Sequence, residues 1–399
     1  MSAAIKREDL KLVGAQIFFR HGARTPLNML PNLDEVTYDK ELHLDHYQPA
    51  TWEIKTILKD DENTVSERKF IGEHNVRKLN GGAAFCGQLT TVGEQQLYEV
   101  GKKIHQDLIV KDKLLPETYD PNLIYTRSTY IDRTIQSARC FLAGLFTDDN
   151  GNIHANGPFE IQVHSWVNEV LYPNPRLYPD LEKKLKPSKL HELLHDEHEL
   201  KKARREFLKK INLSEYEHGF VELHDDIKSR EAHNFPVPED LKELSNKFDE
   251  YCGIEYLLMG THENTSLTKE LFVKTTVGLM LNLVKQNFDR LHEDLLSTTD
   301  KSKSYCKFFV YATHDTSIAS MKIAFDLFDK IWPEFASYIL IKLYQSIHDP
   351  TKTFIQLIFN DVVQTIPWTN DKFCPYNIFI DHLKDQIDDR QNPSVSLTQ

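Results

Sequence analysis

Residues 20–26 read Arg-His-Gly-Ala-Arg-Thr-Pro and come directly after the apolar run 12–19. The string gathers one imidazole and two guanidinium groups at the end of what reads as a buried strand. A neutral imidazole is a nucleophile, and the planar fork of a guanidinium matches two phosphate oxygens at once. At about one in twenty per specified position, a chance match to Arg-His-Gly-x-Arg-x-Pro in a chain of this length falls below roughly one in a thousand. The alternative is that Arg20 and Arg24 pair with carboxylates and His21 is an ordinary strand-end histidine. Two further segments weigh against it.

The run 306–312 (CKFFVYA) is short, aromatic and β-branched, as a buried strand should be, and leads straight into Thr313-His314-Asp315. The run 122–125 (NLIY) is a third strand candidate, with Thr126-Arg127-Ser128-Thr129 next in the chain. After it, Ile131, Ile135, Ala138, Phe141, Leu142 and Leu145 recur at helical spacing. Each strand candidate therefore delivers an Arg or His just past its carboxyl end. In an open α/β sheet, ligands bind outside those ends, where helix N-termini also favour anions. The pattern points to phosphate chemistry.

In these residues the chain resembles the acid-phosphatase branch of the histidine phosphatase superfamily, whose signature is the RHGxRxP box with a later His-Asp pair. The phosphoglycerate mutase branch is less similar, because its box carries Glu after RHG. The stretches 87–104 (GQLTTVGEQQLYEVGKKI), 125–146 (YTRSTYIDRTIQSARCFLAGLF), 169–174 (EVLYPN) and 232–236 (AHNFP) strengthen the match. They are most similar to the lysophosphatidic acid phosphatases. The resemblance implies that His21 is the nucleophile that becomes phosphohistidine and that Asp315 gives the leaving group its proton. It further implies that Arg20, Arg24, Arg127 and His314 hold the phosphoryl oxygens, and that His233 reaches the substrate pocket. Phosphoryl transfer needs positioning and electrostatics above all, and such a set supplies both without a metal or other cofactor. Protonated Asp315 would set an acidic pH optimum.

A competing signal is His191-Glu192-Leu193-Leu194-His195, which fits H-E-x-x-H, the zinc-protease helix. Its charged flanks, Lys186 and Lys189 before it and Asp196-Glu197-His198 after it, suit an exposed amphipathic helix better than a cleft. A phosphate-binding module without turnover is the non-enzyme alternative, and it would need a lost nucleophile or acid.

The 399 residues allow a large α/β unit with an insertion. The expected fold is a central, mostly parallel sheet with helices on both faces and an inserted α-helical cap. Residues 1–165 and 300–399 form the expected core, and 166–299 the mainly helical cap. Strands are expected at 12–20, 122–126, 158–164, 306–312, 338–345 and 353–360, and helices at 91–109, 130–146 and 316–328. Residues 27–85 read as loops around the pocket rim, and the charge-crowded stretch 181–210 as cap surface.

A net charge of −12 lacks the basic footprint of a nucleic-acid binder, yet a local cluster of arginines can still reverse the field inside a cleft. No run of about 20 apolar residues is present, so no transmembrane segment is expected. The five cysteines have no metal-ligand spacing, and their odd, low count suits a reducing compartment. The polar N-terminus lacks a signal-peptide core. Both features read as intracellular, cytoplasmic or mitochondrial, unless a leader has been trimmed. Nothing in the sequence sets an oligomeric state. The expected partner is a small phosphomonoester. The resemblance implies a lysophosphatidate-like lipid phosphate, with Trp52, Trp166 and Leu171-Tyr172 as candidate groove walls. Sugar or inositol phosphates are the alternative.

Overall fold

The computed structural model describes residues 5–59, 77–79, 82–178, 187–213, 219–262, 268–296 and 306–390. Strand β1 (Leu10–Arg20) occupies the middle of a nine-stranded mixed sheet. It runs parallel to β5 (Phe308–Thr313) on one side and antiparallel to β6 (Tyr338–Ser346) on the other. Beyond β5 lie β3 (Ile124–Ser128), β4 (Phe159–Val163) and β2 (Ile54–Leu58), all parallel. Beyond β6 lie antiparallel β7 (Thr353–Phe359) and the two-residue strands β8 (Val362–Val363) and β9 (Cys374–Pro375). The central parallel strands β1 and β5 are almost wholly buried because both faces are covered, as their near-continuous hydrophobic runs require.

A bulge at Leu12/Gly14 sets which side chains of β1 face which layer. Leu10 and Leu12 join Ala15, Ile17 and Phe19 in one apolar cluster, while Val13 and Phe18 join the other. One extra residue shifts the two-residue alternation by one position. The first cluster is covered by α1 (Thr91–Ile104) and α2 (Asp132–Leu145) through Leu97, Ile104, Ile135 and Phe141.

Between β4 and β5 come α3 (Pro187–Leu193), α4 (Glu199–Lys210), α5 (Phe220–Ala232), α6 (Glu239–Ser245), α7 (Phe248–Thr261) and α8 (Lys269–Leu296). Their apolar residues merge with the second sheet face in one cluster. Helix α8 lies on the sheet itself: Gln16 Nε2 donates to the Val284 carbonyl at 2.9 Å, and Asn287 Nδ2 donates to Gln16 Oε1 at 2.9 Å. Helices α9 (Asp315–Ala324) and α10 (Tyr376–Leu383) complete this layer.

Three expectations shift. The first helix ends at Ile104 and widens into a π-type turn over His105–Lys111. The helix after β5 stops at Ala324. The interval expected to be loop holds edge strand β2, whose half-buried residues show no clean alternation. Residues 60–76 and 80–81 of that interval, and 181–186 of the charged stretch, lie outside the described residues. All five cysteines are unpaired thiols.

Candidate active site

The turn after β1 must pass very close to α1. A Cβ on Gly22 would overlap the carbonyl of Gly93, and one on Gly93 would overlap the carbonyl of Ala23. Glycine at both positions lets the helix start directly beneath the turn, which holds His21 against the sheet end. The His21 amide donates to the Thr313 carbonyl at 3.2 Å, and its own carbonyl accepts from the Ala336 amide at 3.1 Å. The residue is thereby bridged to β5 and to the approach of β6.

A cavity of about 370 Å³ opens at the carboxyl ends of β1 and β5. Its wall includes Arg20, His21, Arg24, Arg133, His314 and Asp315, with the first turn of α5 facing them. Helices α2 and α9 both begin at this wall, through Ile131 and His314, so their dipoles favour an anion there.

The His21 ring is oriented by its neighbour: Nδ1 lies 2.9 Å from the Gly22 carbonyl, which can only accept. The proton therefore sits on Nδ1, and Nε2 keeps its lone pair. Burial, then Arg133, Arg24, Arg20 and His314, hold the His21 pKa well below its ordinary value. Burial and Arg133 likewise hold His314 well down, with Asp315 opposing. The His314 Nε2 sits 3.1 Å from Thr129 Oγ1. Both shifts favour the neutral imidazole.

The charges are arranged by partner. Arg20 pairs with Asp315 Oδ2 at 2.9 Å, donates to the Pro333 carbonyl at 2.5 Å and stacks over Phe335. Arg24 pairs with Asp225 Oδ1 at 2.6 Å. The carboxylate pairing weighed against phosphate chemistry thus exists, but inside the cavity wall. Arg133, buried in the first turn of α2, has no ion pair among the described residues. Burial and the nearby Arg24 lower its pKa to about 9. The Nε atoms of Arg20, Arg24 and Arg133 are all buried without a hydrogen-bond acceptor. A donor set of this kind suits an anion. Burial pushes the Asp315 carboxyl up, but Arg20, His314 and Arg24 outweigh it and leave the group below its ordinary range.

The site brings together His21, Asp315, Arg20, Arg24 and His314 from the sequence expectation, and leaves two residues out. Arg127 lies on β3 with its guanidinium on Glu169 at 2.9 Å, both side chains almost completely buried, and it does not line the cavity. Arg133, six positions later, takes the place at the wall. Its position in the first helical turn past β3 was a usable signal. His233 is likewise absent from the cavity wall. Its Nδ1 bonds the Ser229 carbonyl at 2.6 Å and its Nε2 the Thr90 hydroxyl at 2.7 Å, so it clamps the end of α5 to the cap of α1. Of the candidate groove walls, Tyr172 lines the cavity, while Trp52 packs on Phe159 and Trp166 lies under Arg176. The cavity-facing Tyr130, His224 and Trp332 went unrecognised in the sequence.

The zinc-helix reading fails on geometry. Helix α3 ends at Leu193, so His191 and His195 do not share a helical face. His191 Nε2 is bound to Glu255 Oε1 at 2.7 Å in the interior, whereas His195 is exposed.

Residues 11–360 match the family described as Histidine phosphatase superfamily (branch 2). Lysophosphatidic acid phosphatase type 6 of Mus musculus is 30% identical over 382 residues, spanning 94% of this chain and 85% of the relative. Prostatic acid phosphatase of Homo sapiens is 25% identical over 301 residues, 71% of each chain. The apo structure of Hafnia alvei phytase superposes with a TM-score of 0.57 at 12% identity, covering 96% of this chain and 98% of the other.

Proposed function

This chain belongs to branch 2 of the histidine phosphatase superfamily and is a histidine acid phosphatase, and from that premise we propose which residues carry the reaction and which ester it takes. His21 is the nucleophile: its Nε2 forms a bond to phosphorus while the bond to the ester oxygen breaks. Asp315 supplies the departing alkoxide with a proton. Water then attacks phosphohistidine, Asp315 takes the proton back, and inorganic phosphate leaves with the His21 nitrogen restored. Arg20, Arg24, Arg133 and His314 hold the equatorial oxygens, where charge lies in a loose transition state. The observation that carries this reading is the convergence of Arg20, Arg24 and Arg133 in one cavity wall with an imidazole fixed in the nucleophilic tautomer.

The ion pair determines the proton source. Asp315 sits below its ordinary pKa beside Arg20, so the free site holds it ionised. A phosphate monoester has its second pKa near about 6, so in acid the proton arrives on the substrate monoanion. Once the phosphate takes over Arg20, that proton passes to Asp315. The alkaline limb therefore belongs to the substrate as much as to the carboxyl.

The ester is a monophosphate with an apolar tail. Beyond the phosphate cluster, the wall consists largely of Leu27, Tyr130, Ile131, Tyr172, Val221 and Trp332. The further charged residues on it are the acidic Glu222 and Asp225. A ring bearing several phosphates would set anions against those carboxylates, whereas an acyl chain gains by burying against the apolar side chains. The similarity to the lysophosphatidic acid enzymes supports the same reading.

The test is phosphate release from p-nitrophenyl phosphate at about pH 5 with EDTA present, for the native protein and His21→Ala. Activity should persist in EDTA and fall on the order of 10⁴-fold or more in the variant, as loss of a covalent nucleophile does. Activity lost to EDTA, or retained by the variant, overturns the assignment.

A further inference from the structure

One cavity-facing group is left unused by this chemistry. His224 comes from the first turns of α5 and is almost fully buried, yet lines the cavity. Its Nε2 is 2.7 Å from Asp249 Oδ1, on the first turn of α7. The other oxygen of Asp249 accepts from Lys228 Nζ at 2.7 Å. The Asp249 backbone carbonyl accepts from the Trp332 amide at 2.8 Å, which ties this pair to the loop that also supplies Pro333 to Arg20. The imidazole is thus fixed from behind by a carboxylate that Lys228 holds in turn, on a residue whose backbone is tied to Trp332.

The partners set the protonation state. Burial outweighs the partnership with Asp249 and keeps the His224 pKa below its ordinary value, while His224 and Lys228 bring Asp249 down to about 2. Asp249 is then a pure acceptor, so a ring proton lies on Nε2 and points at it. In the neutral ring, the form that burial favours, Nδ1 keeps its lone pair. A lone pair in such a place asks for a donor from the ligand. Asp249 and Arg20 are held by adjacent residues of one loop, Trp332 and Pro333, so the pair stands on the Arg20–Asp315 side of the cavity. That is where the leaving oxygen must be to take its proton from Asp315.

We propose that His224 is a specificity-determining residue whose Nδ1 accepts a hydrogen bond from a hydroxyl on the leaving group, close to the ester oxygen. The preferred substrates are phosphate monoesters of polyols with a free hydroxyl beside the esterified one. This rests on the phosphatase reading and deepens it, since a glycerol-based lipid monophosphate carries such a hydroxyl.

The test compares 2-hydroxypropyl phosphate with propyl phosphate, which differ by that hydroxyl alone. The native protein should favour the hydroxyalkyl ester by about 10-fold in kcat/KM, the order of one buried hydrogen bond. In His224→Ala the ratio should collapse towards unity. In Asp249→Asn, where the ring is no longer held in one tautomer, it should fall part of the way. The ratio is taken within one preparation, so a partly unfolded variant does not distort it. A native ratio near unity, or a ratio that survives His224→Ala, overturns the proposal while leaving the phosphatase reading standing. Absence of turnover of either ester and of p-nitrophenyl phosphate by the native protein would overturn both.

Discussion

At the scale of single residues, the site separates two imidazoles and two carboxylates by what faces each of them. His21 is pinned by a carbonyl and kept neutral by burial among arginines, so its nucleophilic nitrogen survives in acid. Asp315 and Asp225 lie in the same wall, but only Asp315 shares Arg20 with the phosphate position at the head of α9. Its role shows in the leaving group. Asp315→Asn removes the proton donor, so turnover of alkyl phosphates should drop about 10²–10⁴-fold. An aryl phosphate departs without protonation, and its first phosphoryl transfer should be nearly spared. Single-turnover release of propanol and of p-nitrophenol by the variant measures both. Equal losses would remove Asp315 from the role of acid.

Elements decide which of several similar residues reaches the cavity. Arg127 and Arg133 sit six positions apart, yet β3 turns the first into the interior and the first turn of α2 presents the second to the ligand. Arg133→Met should raise the inhibition constant for inorganic phosphate by roughly 10–100-fold, the worth of a charged hydrogen bond, with little loss of stability. Arg127→Met should do the opposite. It strands the Glu169 carboxylate in the interior and should destabilise the fold by about 3–5 kcal/mol, while the folded fraction still binds phosphate. Phosphate inhibition and urea melts on the two variants would separate these effects.

The contrast marks how much was legible in the chain. Runs 12–19, 122–125 and 306–312 announce the strands because buried parallel strands are largely apolar, and the residues just past the first and last of them lie on the ligand side. Which Arg after β3 faces the ligand depends on Glu169, and whether His233 lines the pocket depends on Thr90. Those partners lie 42 and 143 positions away and leave no local signal. His224 was silent for the same reason, its meaning being set by Asp249 on another helix. The H-E-x-x-H string failed in the reverse direction: the local pattern was complete, but α3 ends before its last residue.

For the whole molecule, the buried cluster sets stability against activity. Burial leads the lowering of the pKa values of His21, His314, His224 and His233. As pH falls through the ordinary histidine value, the unfolded chain takes up protons that the folded protein refuses, so stability must fall with acidification. Asp315 and Asp249 are lowered too, and their contribution is lost at still lower pH. Asp226, raised by burial, works the other way around its own titration. The melting temperature should therefore decline between about pH 7 and pH 5, the range in which activity rises. Inorganic phosphate should restore it, by about 2.7 kcal/mol at a hundredfold excess over its Kd. A melting temperature that is flat or rising towards pH 5 would show that the cluster is charged in the folded state.

The central claim is that His21 itself carries the phosphoryl group. Asp315→Asn, mixed with p-nitrophenyl phosphate, should load the nucleophile and then stall, because the carboxylate assigned to activate water is gone. Quenching in alkali, where a phosphorus–nitrogen bond to histidine survives, then digestion and mass measurement, locates the group. Close to one phosphoryl per chain on the peptide containing His21, and none in the His21→Ala protein, is the expected result. A phosphoryl group on any other residue, or continued turnover with none trapped, would contradict it.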